Sequence, residues 1–395
     1  MLIVCEPQCA GFEHAEVNAA LLAAVCLADP GNKILFMAER EHLSEVRKKL
    51  ASVSGPEVEF EEVSIPSRSL SNQAKRFYYE YRLLGNVLHA ACSAGDDKVM
   101  FSSITGSGLV ALKLLLPRYK GIRCFIIPHS VLAEIYRCPS CRPWNHPFWF
   151  GYALRYPTTA RLTYLVPGES IKMNLCAKLP QLEPFVRSFD LPCFFHSAEM
   201  AKQSLQYPLR FGAIGVAHKS KGSDVFCSLA SEVCTLLEQD RAKFTIIGPV
   251  MENSIRQSFN RHVSVPSPNR PLTRDEFETN VKNIHYAVYC HNPHNYRLTA
   301  SGSMLDAFSF IKPLIALEND FFAHYFKKMG DIGYLCKNLD EMRDVIIDLT
   351  KSIPNERYLV QCNNIIKARE MFSPVMTGKQ LKICLNETSV LPWKK

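Results

Sequence analysis

The sequence predicts an α/β protein made of two doubly wound parallel-sheet domains. Strand and helix patterns alternate along the chain, and the alternation breaks near residues 190–208 and then restarts. The length, 395 residues with 47% hydrophobic and 21% charged, gives ample material for two cores of ordinary globular composition. No repeat of the roughly 20–50-residue solenoid kind and no low-complexity tract competes with this reading.

The chain opens with "MLIVCEP", a short continuous apolar run that reads as a buried strand, and "HAEVNAALLAAVCLA", rich in strong helix formers. Next come "KILFMA" (strand), "HLSEVRKKLA" (helix) and "VEFEEVSI" (strand), then a long helix over residues 71–93. "KVMFSSI", "RCFIIPH" and "RLTYLVP" are strands, "GSGLVALKLLL" is a helix before the second of them, and "ESIKMNLCAKL" is a helix after the third. "FDLPCFFHSAEMAKQSLQYPL" has two prolines and no sustained period, which marks a boundary. Alternation resumes with "LRFGAIG", "SDVFCSLASEVCTLLEQ", "AKFTIIG", "MENSIRQSFNRH", "TRDEFETNVKN", "HYAVYC", "SMLDAFSF" and "PLIAL", and helices close the chain.

Lys and Arg exceed Asp and Glu by 46 − 38 = 8. That surplus suits an anionic ligand or an anionic membrane surface, and without a long basic run nucleic acid is not an expected partner. The start of the chain lacks the basic n-region and small-residue cleavage site of a secretory signal. No apolar run reaches bilayer-spanning length. The 15 cysteines are therefore expected to be reduced thiols of a cytoplasmic protein. Cys138 and Cys141 form one suggestive pair, with only His146 near enough to add a third ligand, so packed thiols are expected rather than zinc, and no metal site is expected.

In doubly wound sheets ligands bind outside the carboxyl ends of the strands, so the loops directly after strands carry the functional candidates. The first is "EPQCAGFEHAEVN": Gly11 permits a tight turn, and His14, Glu16 and Asn18 open a helix, where plain capping explains them equally well. In the second, Gly106, Gly108 and Ala111 fit the G-x-G-x-x-A dinucleotide fingerprint, but the acid expected about 20 residues on is missing, and glycines that let a helix pack close to a strand explain the motif better. The third places His129 directly after a buried strand, where a neutral imidazole can exchange a proton; a satisfied structural histidine is the alternative. The fourth, "FGAIGVAHKSKGSDVF", leaves a strand through Gly215, carries Lys219 and Lys221, and reaches a helix start at Gly222; glycines, lysines and a helix N-terminus make an anion cradle.

In "YRLTASGSMLDAFSFIKPLIA" (296–316), Ser303 and Asp306 fit an S-x-x-D capping box. Ser301 and Gly302 are not needed for that cap. A glycine there leaves amide groups open to close approach, and the helix dipole favours an anion. Two such helix N-termini in one domain, one flanked by lysines, suit a diphosphate.

These segments, with "FTIIGP", resemble the C-terminal domain of GT-B glycosyltransferases, close to glycosyltransferase family 4. Asp306, Ala307 and Pro313 match the family's E/D-A-x-x-x-x-x-P-I segment, with Asp for the usual Glu. The family's first glutamate would fall at Leu298, and His218 and Lys219 stand nearest to its phosphate-loop arginine. The resemblance implies GT-B architecture: two Rossmann-like domains facing across a cleft, an acceptor-binding domain over 1–195 joined by a returning helix in 373–395, and a nucleotide-sugar domain over 196–372. It implies hexosyl transfer from a nucleoside-diphosphate sugar to a glycan or lipid-linked acceptor. Donor contacts would come from Gly215, Lys219, Lys221, Gly222, Ser301, Gly302, Ser303 and Asp306, acceptor contacts from Gly11, Glu16 and Asn18, and catalytic help from His129 and His14.

The chemistry agrees. Glycosyl transfer develops an oxocarbenium-like centre and a negative leaving group, which fixed cations and amides can stabilise in place of a metal. The chain has no D-x-D, so no cofactor or essential metal is expected. "AKRFYYEYRLL" (74–84) and "CRPWNHPFWFGYALR" (141–155) interleave aromatics with cations, a composition that suits peripheral membrane contact and equally suits core packing beside a solvated face. A GT-B sugar-nucleotide epimerase, a nicotinamide-dinucleotide enzyme and a non-catalytic sugar-nucleotide binder are the alternatives.

Overall fold

The computed structural model describes residues 1–387 except 32, 52–56, 68–69, 137–140, 196–204, 251–252, 258, 260 and 294. The chain divides into two compact units: Met1–Phe194 with Leu298–Ala300 and Met371–Lys395, and Phe195–Arg297 with Ser301–Glu370.

The first unit holds β1 (Leu2–Cys5), α1 (Ala15–Ala28), β2 (Ile34–Ala38), α2 (Arg40–Ala51), β3 (Val58–Glu62), α3 (Gln73–Ala94), β4 (Lys98–Phe101), α4 (Gly106–Leu115), β5 (Arg123–Ile126), α5 (His146–Arg155), β6 (Leu162–Pro167), α6 (Glu169–Lys178) and β7 (Val186–Phe189). Its strands pair in the order β3-β2-β1-β4-β5-β6-β7, all parallel, with Leu2 beside Ile34 and Ile3 beside Val99. The inner strands β1 and β2 are continuous apolar runs because both faces of a parallel sheet are covered by helices, whereas the edge strands β3 and β7 carry charged or polar residues.

The second unit holds β8 (Leu209–Ile214), α7 (Ser223–Glu232), α8 (Cys234–Glu238), β9 (Ala242–Ile247), α9 (Asn253–Arg256), β10 (Val263–Ser264), α10 (Arg274–Asn283), β11 (Tyr286–Tyr289), α11 (Gly302–Ser309), β12 (Leu314–Leu317), α12 (Asp320–Met329), β13 (Gly333–Cys336), α13 (Leu339–Lys351) and α14 (Asn355–Arg369). Its parallel sheet runs β10-β9-β8-β11-β12-β13. The last helix, α15 (Pro374–Asn386), belongs to the first unit, where Leu381, Cys384 and Leu385 join Leu21, Val25 and Ala28 of α1 in the core.

Several expectations are corrected. α5 was legible only as an aromatic segment, and β7, β10 and β13 carried no recognisable signal. The helix expected over "MENSIRQSFNRH" is the single turn α9, with residues 251–252, 258 and 260 outside the described part. Much of the expected boundary segment (196–204) and the end of the expected closing segment (388–395) also lie outside it. None of the described helices is long and apolar enough to cross a membrane. None of the described cysteines is in a disulfide; Cys138 lies outside the described residues, and Cys141 is exposed.

Candidate functional site

In the first unit, the residues at the carboxyl ends of β1, β4 and β5 gather around a carboxylate that sequence reasoning did not single out. Glu6 follows β1 and is fully buried. It accepts from the amides of Gln8 and Cys9 at 3.0 Å, from Asn18 Nδ2 at 3.1 Å, from Ser102 Oγ at 2.8 Å and from Ser103 Oγ. Burial alone raises its pKa; the bonds from Ser103, the Gln8 amide, Asn18 and Ser102 outweigh that and hold it below the usual carboxylate range. The one sequence signal was an acid placed directly after a buried strand.

The predicted acceptor residues divide. His42 Nδ1 lies 2.9 Å from the Gly11 carbonyl oxygen, which can only accept, so this nitrogen carries the proton. Nε2 is then the acceptor, and Asn18 Nδ2 donates to it at 2.9 Å. The Gly11 amide donates to Glu39 at 3.2 Å. Gly11 and Asn18 are thus fixed inside one network that pins the first loop. Glu16 instead faces Lys49 of α2 at 2.9 Å on the surface.

His14 and His129 do come together, with ring centroids 5.2 Å apart at an angle of 89°. His14 sits in a left-handed backbone conformation, φ 56°, at the start of α1. Burial lowers the His129 pKa to about 4; His14 adds to the fall, while Glu6 and a hydrogen bond to the Ser102 backbone oppose it. The ring is therefore neutral at neutral pH, which fits it to hydrogen-bond a hydroxyl better than to carry a proton.

The G-x-G-x-x-A segment receives a different explanation from the expected one. Thr105 caps α4 by accepting from the Gly108 amide, and Glu80 of α3 accepts from Thr105 Oγ1 at 2.8 Å and from Ser107 Oγ. The chain's own carboxylate thus sits against this helix N-terminus. A Cβ on Gly106 would lie 2.5 Å from the Phe150 amide nitrogen, so the glycine serves close approach of α5, not of a strand.

In the second unit the post-strand candidates converge. A Cβ built on Gly215 would lie 3.2 Å from Lys221 Nζ and 3.7 Å from Ser303 Cβ, so strand end, lysine and helix start meet within the span of one small group. Gly222, at φ 68°, sets the turn into α7, and a Cβ there would lie 1.9 Å from the Cys290 carbonyl oxygen. Lys219 is exposed, whereas Lys221 is half-buried. Burial lowers the Lys221 pKa, and the nearby Asp306 carboxylate opposes that fall.

The expected capping box is absent. α11 starts at Gly302 with Ser301 as its cap residue and no side-chain cap bond, and Ser303 Oγ lies 3.2 Å from Ser301 Oγ instead. Tyr289 donates to the Ser303 carbonyl at 2.6 Å and braces the first turn from below. Gly302 is exposed, and a Cβ built on it meets nothing within 4 Å. Leu298 is buried. Among the described residues no group of His, Cys, Asp and Glu side chains has the arrangement of a metal site.

No family model matches the chain, and no curated protein matches it significantly in sequence. Solved structures do match, and the fold they define is that of the GT-B glycosyltransferases, with two sheets of parallel strands. The particular structures include the OtsA apo structure, with TM-score 0.67 and 10% identity over 99% of this chain and 100% of that one. Anabaena Alr3699/HepE in complex with UDP has TM-score 0.64 and 11% identity over 98% of this chain and 99% of that one. WaaG, a glycosyltransferase involved in lipopolysaccharide biosynthesis, has TM-score 0.64 and 10% identity over 98% of this chain and 100% of that one.

Proposed function

We propose that the protein is a glycosyltransferase of the hexosyltransferase class. It moves a sugar from a nucleoside-diphosphate sugar to a glycan or lipid-linked acceptor without an essential metal. The observation that carries this reading is the convergence of Gly215, Lys221 and Ser303 at the strand ends of the second unit. UDP in HepE and the lipopolysaccharide role of WaaG, proteins of the same fold, support the ligand classes.

In this reading the Lys221 ammonium and the amides of Gly302 and Ser303 hold the diphosphate. Each charge-assisted bond contributes ~1.5–3 kcal/mol, and those that strengthen as charge builds on the leaving group lower the barrier. Asp306 hydrogen-bonds the donor, and Gly222 and Lys219 frame the loop. His129 and His14 meet the reacting sugar, and the loop pinned by Gly11 and Asn18 shapes the acceptor side, while Glu16 pairs with Lys49 on the surface.

A thermal-unfolding panel of UDP, GDP, ADP and CMP sugars, with and without EDTA, tests the reading. One donor at a hundred times its Kd is expected to add about 2.7 kcal/mol of stability, EDTA included. Failure of every nucleotide to bind would overturn it. Turnover of the sugar nucleotide without any acceptor would instead identify an epimerase, and tight binding without turnover a sensor.

A further inference from the structure

We propose that the second unit carries a further binding site, for a small phosphate ester of a hydroxylated molecule, at the amino ends of β8, β9 and β10. The inference goes beyond the catalytic reading and does not depend on it. The cluster of Gly215, Lys221 and Ser303 lies at the carboxyl edge of the same sheet. Arg210, on β8, precedes Gly215 by about 16 Å of extended strand. A cavity of about 690 Å³ opens at the amino edge, within the roughly 300–1,000 Å³ of small-molecule sites.

Strand register assembles its cations. Arg210 pairs with Lys243 across β8 and β9, and Val263 pairs with Phe244 across β9 and β10, which sets His262 beside Lys243. Paired strands lie about 4.8 Å apart and residues in register share a face, so the three form one basic row. Two residues on, Thr245 and Ser264 pair on that same face, and Asn280 and Asn283 of α10 complete the polar lining. Like charges side by side on a sheet repel, and an anion seated among them relieves the repulsion. The nearby acids serve two of the cations: Glu238 pairs with Arg261 and Asp240 with Lys243, each at 3.0 Å, in exposed pairs that hold weakly. Neither reaches Arg210. Its side chain is half-buried, and its guanidinium makes no hydrogen bond or ion pair among the described residues. Such a planar fork of donors matches a phosphate in two bonds at once. A bare phosphate would leave most of the cavity empty, whereas hydroxyls on an attached carbon skeleton complement Thr245, Ser264 and the two amides.

The test is titration calorimetry of the full chain with ribose 5-phosphate, inorganic phosphate and ribose. Ribose 5-phosphate is expected to bind, ribose to give no signal, and inorganic phosphate to bind at least about tenfold more weakly for want of the hydroxyl contacts. Arg210→Gln should weaken ribose 5-phosphate at least about tenfold, the worth of one charge-assisted hydrogen bond, without lowering the melting temperature of the free protein. Lys243→Glu, at an exposed position, should weaken it as much and keeps the test open if Arg210→Gln folds poorly. Lys221→Ala, at the other edge of the sheet, should leave ribose 5-phosphate unaffected, so failure of the donor site and failure of this one are read separately. No binding of ribose 5-phosphate up to about 10 mM, equal affinity for inorganic phosphate, or full affinity in the folded Arg210 and Lys243 variants would each overturn the proposal. So would weakening of ribose 5-phosphate by Lys221→Ala.

Discussion

Asn18 donates to Glu6 at 3.1 Å and joins the first strand to the first helix through a buried carboxylate. Ser102 and Ser103, at the end of β4, donate to the same carboxylate, so Glu6 ties three elements of the sheet's carboxyl edge.

Glu6→Ala is expected to leave these donors unsatisfied and to cost about 3 kcal/mol or more, read from urea unfolding at pH 7. The folded pKa is lowered, so the carboxylate's stabilisation is present above the unfolded value and is lost as pH falls through the folded one. Wild type should lose more stability than Glu6→Gln between pH 5 and pH 3.

His129 should remain neutral well below the ordinary histidine range, since its pKa is lowered to about 4. Its linkage has the same sign: the unfolded chain takes up the proton first, so stability falls as pH drops from about 6.5 towards 4. NMR titration of the ring should show no midpoint near 6.5. His129→Ala should slow turnover roughly 10- to 150-fold, the range for one hydrogen bond to a charged group, at a temperature where the variant is fully folded.

Lys221→Ala should weaken nucleoside-diphosphate binding at least tenfold in titration calorimetry and shift the melt, because the side chain is half-buried. Lys219→Ala, at an exposed position, should cost less than threefold and leave the melt unchanged. Equal effects from the two lysines would reject Lys221 as the phosphate cation.

Gly302→Val is expected to abolish nucleoside-diphosphate binding while the fold persists, because its Cβ finds open space in the protein. Ser303→Ala removes a hydroxyl that pairs with Ser301 rather than a cap, so its loss should stay near 1 kcal/mol in the melt. Full affinity in Gly302→Val would dismiss residues 301–303 as the diphosphate site.

Most of the architecture was legible because strands buried on both faces, such as Leu2–Cys5 and Leu314–Leu317, are unbroken apolar runs. β7 was not legible: Arg187 and Ser188 interrupt it, as an edge strand allows. Candidates made from neighbouring residues, such as the glycine and lysine loop at 215–222, could be read locally. Glu6 and Ser102 stand 96 residues apart, and only the sheet order unites them. The supposed cap at Ser303 failed for a related reason: the helix begins two residues before that cap would place it, with Ser301 at the cap position, and Ser303 turns to Ser301.

The peptides at the starts of α4 and α11, Thr105-Gly106-Ser107-Gly108 and Ser301-Gly302-Ser303, are close to the same local composition. At α4 the rival for any anion is tethered: Glu80 sits on the neighbouring helix, 25 residues from Thr105, and folding itself delivers it. A carboxylate already fixed in place by folding keeps its hydroxyl partners without the association entropy that a dissolved phosphate must lose. Selectivity between the two helix starts is therefore set when the chain folds. A free diphosphate entering the protein should ignore α4 whatever its concentration in the cell, and a lost carboxylate at position 80 would be felt as a second, competing anion site.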